Sequence, residues 1–531
     1  MNRKFYVTLL SIINVIRSFL LVGQAIISKE LIDEAVKVIE SKSSDKLVVI
    51  GIVFCVAIIL NIALSLIYFQ IKNKFSLRIE VDLKKKIYDS LLKKDVAELK
   101  KYHSGELSNI YLSDVQNIKN GVCEIVPSFF LFGSRFILAF IALIYLDYKL
   151  LLILLILGVI GLVGARIYNK YMKRIHKATL ENDGSVNAFM QETFENIKVV
   201  KALDGNKNVS SSLEERLKEN YRLKNKRNNI ALIGNGGLFI LMQMTSAFTL
   251  IYGAIAIAFM GLSYGSLMGL MQVVSYFESP LTSLSSLLSR LNAYKASLER
   301  IEAIYALKDD EKQIELPDFD RIVVDNISFK YDKEIFTDFS LVIEKNKTIL
   351  LKGPSGVGKS TLFNLLLGFI KPEKGEIYAE YNGVKYPIST VRKLFSYVPQ
   401  ENILFSGTVE DNIKIFIDDV DEEKLNNALK IAEVYDEIYE KPKGLKTPLV
   451  ERGGGLSLGQ IQRVLLAISL LKDHLVLLLD EFTSALDKDL EKRIVSNISS
   501  LNKTKVIITH RDIEVNDSIT VNVGENNEYR R

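Results

Sequence analysis

Six long apolar stretches lie in the first 300 residues, and no other feature restricts the fold of this chain as strongly. A helix crosses a lipid bilayer with about 20 consecutive, mostly apolar residues. Because hydrocarbon offers no water to the backbone, such stretches are expected to form spanning helices. Buried helices of a soluble protein are the less favoured alternative, since all six stretches precede any alternation of strands and helices. The predicted spans cover residues 5–28, 46–70, 124–146, 149–169, 229–260 and 265–291.

The connections between the predicted spans differ in length and charge. Two of them, residues 71–123 and 170–228, are long, charged and helical in pattern, and residues 71–120 contain more Lys and Arg than Asp and Glu. Basic connections remain on the cytoplasmic side of a membrane. We therefore predict a multi-pass protein of the cytoplasmic (inner) cell membrane, with the N-terminus, both long connections and the C-terminal half in the cytoplasm.

Each long connection is expected to reverse direction at a tip. The first turn is predicted at residues 102–107, where Ser104 and Gly105 interrupt a helical pattern and Glu106 begins the next helix. The second turn is predicted near residues 182–185, which read Asn-Asp-Gly-Ser. These tips could contact the soluble part of the chain.

A glycine-rich segment at residues 353–361 reads Gly-Pro-Ser-Gly-Val-Gly-Lys-Ser-Thr, between an apolar run and a helical pattern. Glycines let consecutive N–H groups converge on one anion, and the helix N-terminus adds partial positive charge. The segment therefore predicts nucleoside triphosphate binding, with Lys359 at the terminal phosphates and the Ser360 hydroxyl on Mg2+. The residues expected to bind the nucleotide here are Gly353, Ser355, Gly356, Gly358, Lys359, Ser360 and Thr361.

Two apolar runs further along the chain end in polar residues. Residues 475–479 precede Asp480 and Glu481, and residues 506–509 precede His510. Continuous apolar runs of this length are typical of buried parallel strands. Ligands bind at the carboxyl ends of such strands, so the glycine-rich loop, Asp480, Glu481 and His510 are expected to converge.

Composition excludes several other classes of protein. The net charge of +5 is small for 531 residues and does not indicate a nucleic-acid partner. The two cysteines, Cys55 and Cys123, are expected to be buried free thiols, and the four histidines show no metal-ligand spacing. We predict a transmembrane domain at residues 1–307, a polar linker at 308–319 and a nucleotide-binding domain at 320–531.

Taken together, these residues resemble an ATP-binding cassette (ABC) exporter of the six-span half-transporter type, over essentially the whole chain. Residues 353–361 match the Walker A loop, and Gln400 matches the Q-loop glutamine, followed by the exporter-type residues 404–409. Further matches are the X-loop at Glu451-Arg452-Gly453, the signature at residues 456–460, Walker B at 476–481, the D-loop at 484–487 and the switch histidine at His510. The implied fold is an α-helical six-span transmembrane domain followed by an α/β P-loop ATPase domain.

The resemblance also implies roles for single residues. Asp480 and Ser360 would hold Mg2+, and Glu481 would polarise the attacking water. Gln400 would contact metal or water, and His510 the γ-phosphate. Tyr331 would stack on adenine.

The family pattern further implies a dimer. Ser457, Gly459 and Gln460 would face an ATP bound by a second half-transporter, identical or different, so two ATP molecules would lie between two chains in the bilayer. Dimer closure and hydrolysis would drive alternating access, which exports a substrate that the sequence does not identify.

One departure from the family pattern leaves an alternative open. Leu458 stands where the signature usually has glycine, which adds bulk and restricts the backbone near a phosphate contact. The chain could then be one subunit of a heterodimer whose signature forms a degenerate, mainly ATP-binding site. An importer with the same architecture is a less favoured reading.

Polar residues inside the predicted spans are candidates for contact with the cargo, because they are costly in lipid. Arg17 and Glu278 could line a path for a charged or amphipathic cargo; equally, they could form a structural ion pair or extend to the membrane interface. The others are Arg135, Gln243 and Gln272.

Overall fold

A computed structural model describes residues 3–41, 45–102, 104–331, 333–401, 403–450, 453–511, 515 and 517–524. The chain divides into two compact units. The first contains residues 1–89 and 104–305, and the second contains residues 90–103 and 306–531.

Helices form the first unit, and two of its turns are π-helical. In chain order, and including the short α3 of the second unit, the elements are α1 Arg3–Ser41, α2 Asp45–Leu91, α3 Val96–Leu99, α4 Ser104–Asn109, π1 Ile110–Asp114, α5 Val115–Asn120, π2 Gly121–Ile125, α6 Val126–Glu195, α7 Ile197–Ala202, α8 Asn206–Met260 and α9 Tyr264–Ala306.

Within the described residues, four helices are long and apolar enough to cross a membrane: Arg3–Ile39, Asp45–Leu91, Gly105–Glu195 and Asn206–Met260. The third contains two predicted spans, which separate at Asp147, where the backbone leaves the helical region (φ −164°, ψ 103°). The Asp147 carboxylate accepts a hydrogen bond from the amide of Lys149 (2.9 Å) and so caps the following helix. The sixth predicted span lies in α9, which contains Pro280.

Helices α1 and α6 pack through small and polar side chains. The Asn14 amide donates to the Pro127 carbonyl (3.0 Å), and the hydroxyl of Ser134 donates to that of Ser18 (2.8 Å). Small residues allow close approach of helices, and in lipid their hydrogen bonds hold helices together. The core of this unit includes the fully buried Ala25, Ala139, Leu143 and Leu270.

The second predicted turn, at residues 182–185, is wrong. Helix α6 continues to Glu195, and the chain reverses at residues 196–205 around α7. The reason is long-range: Asn182 and Asp183 accept hydrogen bonds from Asn220 of α8 (2.9 and 2.6 Å), so their polar groups are satisfied within the helix. The first predicted turn, at residues 102–107, is also largely wrong: the break lies earlier, between Leu91 and Ser104. Ser104 and Gly105, which were expected to interrupt the helix, are part of α4, and Glu106 lies in its first turn.

The expectation that both thiols are buried is half wrong. Cys123 is buried, whereas Cys55 is exposed on α2. Cys55 lies in the apolar part of α2, and many of the apolar side chains around it are exposed as well.

Two of the polar residues in the predicted spans make hydrogen bonds within the helical unit. Arg17 donates to the Asn14 side chain (3.3 Å) and lies over the Tyr68 ring (5.7 Å to its centre), while Gln272 donates to Ser28 (3.1 Å). Glu278 is buried, and no ion pair joins it to Arg17 in the described part of the chain. The structural ion pair considered above is therefore not formed.

The second unit is an α/β structure with three sheets. Its strands are β1 Arg321–Lys330, β2 Glu334–Glu344, β3 Thr348–Lys352, β4 Lys374–Tyr381, β5 Val384–Pro387, β6 Phe395–Val398, β7 Gly407–Thr408, β8 Pro448–Leu449, β9 Val476–Asp480, β10 Thr504–Ile508 and β11 Ser518–Asn522. Its further helices are α10 Lys359–Leu366, α11 Val409–Phe416, α12 Glu422–Ile431, α13 Tyr435–Tyr439, α14 Leu458–Leu471 and α15 Lys488–Ser499.

A five-stranded parallel sheet, in the order β11-β3-β10-β9-β6, forms the centre of this unit. Alternate side chains of each strand enter two different hydrophobic clusters: Leu478 packs on one face and Leu477 and Leu479 on the other. Burial on both faces explains the continuous apolar sequence, and each such side chain contributes roughly 1.5–3 kcal/mol. An antiparallel sheet in the order β2-β1-β4-β5 and the β7-β8 pair complete the unit.

A buried carboxylate joins π1 to α9 in the helical unit. Asp114 is 1% exposed and accepts hydrogen bonds from the Ser297 hydroxyl (2.7 Å) and from Arg300 Nε (2.8 Å). The Arg300 side chain is 49% exposed, so the two partners differ in their access to water.

This difference predicts unequal effects of removing either partner. Arg300→Ala leaves a buried carboxylate without its cation and should lower the free energy of unfolding by roughly 2–3 kcal/mol. Asp114→Ala should cost less, because the half-exposed guanidinium can regain water. Thermal unfolding of the chain in lipid measures both. Lys218→Ala, which breaks an exposed ion pair with Glu214 (2.8 Å), is the control and should be nearly neutral. An Asp114→Ala variant less stable than Arg300→Ala would contradict the explanation.

Candidate functional site

The glycine-rich loop connects β3 to α10, as the sequence predicts. Gly358 caps α10 with φ 108°, and a Cβ atom there would lie 2.4 Å from Ile335 Cγ2. Gly353 has φ 147°, and its Cβ atom would lie 2.5 Å from the Val523 carbonyl oxygen. Both positions therefore require glycine, for conformation and for space. Ser355, Gly356 and Ser360 are exposed along the loop, and Thr361 is partly exposed.

Lys359 is folded back onto this loop. Its ammonium group donates to the carbonyls of Gly353 (2.8 Å) and Pro354 (2.9 Å), and the residue is 5% exposed. Burial lowers the pKa of Lys359, while the nearby carboxylates of Glu481 and Asp480 act in the opposite direction. The ammonium group of Lys359 therefore lies against the loop, and the carboxylates of Glu481 and Asp480 compensate its charge.

Strands β9 and β10 are neighbours, and Asp480 pairs with Ile508 in their register. Asp480 is 1% exposed, and burial raises its pKa to about 6, although a hydrogen bond from Ser360 and the charge of Lys359 oppose this change. Its Oδ1 atom is buried and has no hydrogen-bond partner among the described residues. The site therefore contains an acceptor that lacks a partner.

Glu481 is held between two side chains. Gln400 Nε2 donates to Glu481 Oε2 (3.0 Å), and His510 Nε2 lies 3.2 Å from Glu481 Oε1. The Glu481 backbone has φ 47°, and its N–H donates to the Ile508 carbonyl (3.0 Å). Three residues that the sequence singled out separately therefore meet at one carboxylate.

Tyr331 lies just after β1, in the connection to β2. It is 54% exposed and packs edge-to-face on Phe329 (4.9 Å between ring centres). The same connection leads to Ile335 of β2, which adjoins Gly358. The tyrosine ring is thus available to a ligand near the loop.

The signature residues lie at the N-terminus of α14. Ser457 caps this helix, and Gln460 forms the reciprocal bond of a capping box and also donates to Glu437 (2.7 Å). Leu458 is helical and 55% exposed. Within the described residues, no hydrogen bond or ion pair joins Ser457, Gly459 or Gln460 to the phosphate loop. Glu451 and Arg452 of the predicted X-loop lie outside the described residues.

Sequence reasoning missed the side chains that hold the D-loop. Arg511 donates to the carbonyls of Ser484 (2.9 Å) and Leu486 (2.9 Å), and Gln462 of α14 donates to the Ser484 hydroxyl (2.9 Å). A Cβ atom on Gly459 would lie 3.3 Å from the Ala485 carbonyl oxygen. The D-loop thus connects the residue after His510 to the signature helix. Only the position of Arg511 next to His510 could have suggested this role.

Both parts of the chain match known families of ABC transporters. Residues 7–281 match the family described as the ABC transporter transmembrane region, and residues 336–484 match the ABC transporter family. A putative export ATP-binding/permease protein of Rickettsia bellii is 28% identical over 546 residues, covering 98% of this chain and 92% of that protein. The lactococcin-A transport/processing ATP-binding protein LcnC of Lactococcus lactis is 26% identical over 422 residues, covering 77% and 58% of the two chains.

A solved structure shares the fold. The structure of a bacterial Atm1-family ABC exporter with ATP bound aligns with a TM-score of 0.84 at 19% identity, over 98% of this chain and 94% of that one. The helical transmembrane domain followed by an α/β ATPase domain is thereby confirmed. The chain belongs to the ABC transporter family, has the half-transporter architecture, binds ATP through its ATPase domain and couples ATP hydrolysis to transport across a membrane.

Proposed function

We propose that this chain is one half of an ATP-driven exporter that works by alternating access, as a dimer in the cytoplasmic membrane with its ATPase domain in the cytoplasm. The observation that carries the proposal is the contact of Gln400 and His510 with the Glu481 carboxylate, at the strand ends beside the phosphate loop. The relatives named for export support the direction of transport.

Glu481 is the general base in this mechanism. It accepts a proton from the water whose oxygen bonds to the γ-phosphorus, while the bond from that phosphorus to the bridging oxygen of ADP breaks. Gln400 and His510 orient the carboxylate, and His510 can donate to the γ-phosphate. Lys359 exchanges its loop carbonyls for phosphate oxygens and neutralises their charge. Tyr331 supports adenine.

The residues at the site fit Mg2+. Among the described residues, the buried Asp480 Oδ1 has no hydrogen-bond partner, and a carboxylate oxygen of this kind is a suitable ligand for Mg2+. Asp480, Ser360 and Gln400 would hold the ion, which would supply charge neutralisation at the phosphates.

A second chain completes each site in this proposal. Ser457 and Gly459 lie at the N-terminus of a 14-residue helix, where backbone N–H groups favour an anion. Because no hydrogen bond joins them to the phosphate loop of their own chain in the described residues, they are available to the ATP of a partner half-transporter. Whether that partner is identical is decided by the first experiment below.

Glu481→Gln should reduce Mg2+-dependent ATPase activity by about 100-fold or more, because the amide cannot accept the proton, while ATP binding is retained. Activity is measured on the chain purified alone in lipid, beside Glu410→Gln, which removes a carboxylate that pairs with Lys414 on α11. The control should keep full activity.

The wild-type result also identifies the partner. Turnover by the chain alone means a competent homodimer. Bound ATP without turnover means that a different half-transporter is required. ATPase activity that is retained in Glu481→Gln would show that Glu481 is not the general base.

Leu458→Gly and Leu458→Ala test the degenerate-site alternative. The capping box of α14 is intact and Leu458 has a helical backbone, so any effect on hydrolysis arises from side-chain bulk. If the bulk of Leu458 slows the site, both variants should raise ATP turnover to the same extent. Each should change the free energy of unfolding by less than about 1 kcal/mol. Steady-state kinetics measure the turnover. A gain with glycine alone would show instead that the backbone is restricted, and no gain with either would show that Leu458 does not slow the site.

A further inference from the structure

The segment at residues 307–313 makes hydrogen bonds on two sides within the second unit. It follows α9 in sequence and precedes the nucleotide-binding strands. On one side it contacts residues 93–95, which follow α2, and on the other it contacts Arg392, which follows β5. Nothing in its composition indicates this arrangement.

The first contact is a short antiparallel backbone pairing. The Asp95 N–H donates to the Lys308 carbonyl (3.0 Å), and the Asp310 N–H donates to the Lys93 carbonyl (2.8 Å). Between them, Lys94 Nζ donates to the Leu307 carbonyl (2.7 Å) and to Asp309 Oδ1 (2.7 Å). The Lys94 side chain is 5% exposed, so its charge depends on these acceptors.

The second contact is a charge-assisted fork at Arg392. Its two Nη atoms donate to the Asp310 carboxylate (2.6 and 3.1 Å), and its Nε donates to the Leu367 carbonyl (2.8 Å). The guanidinium also lies over the Phe369 ring, 4.8 Å from its centre. Bidentate pairs of this kind are among the stronger hydrogen bonds in proteins, and they fix geometry as well as charge.

Leu367 caps the C-terminus of α10. A helix C-terminus has free carbonyl groups and a partial negative charge. A guanidinium donates hydrogen bonds to the carbonyls, and its positive charge interacts favourably with the helix dipole. The N-terminus of the same helix is Lys359, in the phosphate loop. Eight residues of helix span about 12 Å, so α10 is a short rigid rod with the phosphates at one end and Arg392 at the other.

We propose that Arg392 is a positioning residue that ties the phosphate-loop helix to the end of α2. ATP bound at the N-terminus of α10 fixes the helix, Arg392 then fixes Asp310, and the backbone pairing holds residues 93–95. This route is separate from Gln400. It deepens the proposed function, on which it rests, by connecting ATP binding to a helix that spans the membrane.

The two amides of the pairing, those of Asp95 and Asp310, report on this route by hydrogen exchange. The full chain in lipid is compared with and without saturating ATP and Mg2+, in a Glu481→Gln background that retains ATP. ATP should slow exchange at both amides. Arg392→Gln and Asp310→Asn should each reduce this ATP-induced protection by about tenfold, because a charge-assisted pair is lost. ATP affinity should stay close to that of the parent.

Lys393→Gln is the matched control. It removes a positive charge from the residue next to Arg392. Lys393 pairs with Glu315 (3.0 Å), and both of these side chains are exposed to solvent. It should keep the ATP-induced protection, and Arg392→Lys should restore part of what Arg392→Gln loses.

Three results would overturn the proposal: no ATP effect at the two amides of the parent, unchanged protection in Arg392→Gln and Asp310→Asn, or an equal loss in Lys393→Gln. If Arg392→Gln does not fold, Asp310→Asn decides alone, since it breaks the same contact without touching α10. Failure of the proposed function is seen separately, as wild-type chain that binds ATP and has no turnover with any partner.

Discussion

One buried cation, Lys359, interacts with both the glycine-rich loop and the carboxylates of the candidate ATP site. Lys359 is almost fully shielded from water, so its ammonium group must always have acceptors. Its partners are carbonyls of the loop that precedes it, and its charge also stabilises the two carboxylates at the ends of β9. In the proposed mechanism, a phosphate therefore takes the place of the carbonyl groups that now accept from Lys359. Binding would then be an exchange of hydrogen-bond acceptors at this ammonium group.

The parallel sheet explains why these groups meet. Residues of β3, β10 and β9 alternate between two hydrophobic clusters, which restricts the register of the strands. In the observed register Asp480 lies beside Ile508. His510 follows two residues later and so reaches Glu481. The hydrophobic core thus specifies the position of polar groups that do not belong to it.

Local patterns made most of this site predictable. The phosphate loop, the carboxylates after β9 and the histidine after β10 are each short in sequence, and the rule that parallel strands end at one edge brings them together. Contacts between distant residues were not predictable. Asn220 keeps residues 182–185 helical, although their composition is typical of a turn. No periodicity in the sequence indicates the contact of Arg392 with Asp310. The same is true of Lys94, whose partners lie more than 200 residues away.

The backbone of Glu481 has a consequence beyond the chemistry of hydrolysis. Its φ of 47° is a left-handed conformation, which costs a residue with a Cβ atom about 1–2 kcal/mol and glycine almost nothing. The residue that we propose as the base is therefore not the residue that the backbone conformation favours. A library selected for heat resistance alone would enrich glycine or asparagine at position 481 and lose turnover. In the proposed mechanism, only the need for a base at position 481 offsets this backbone cost.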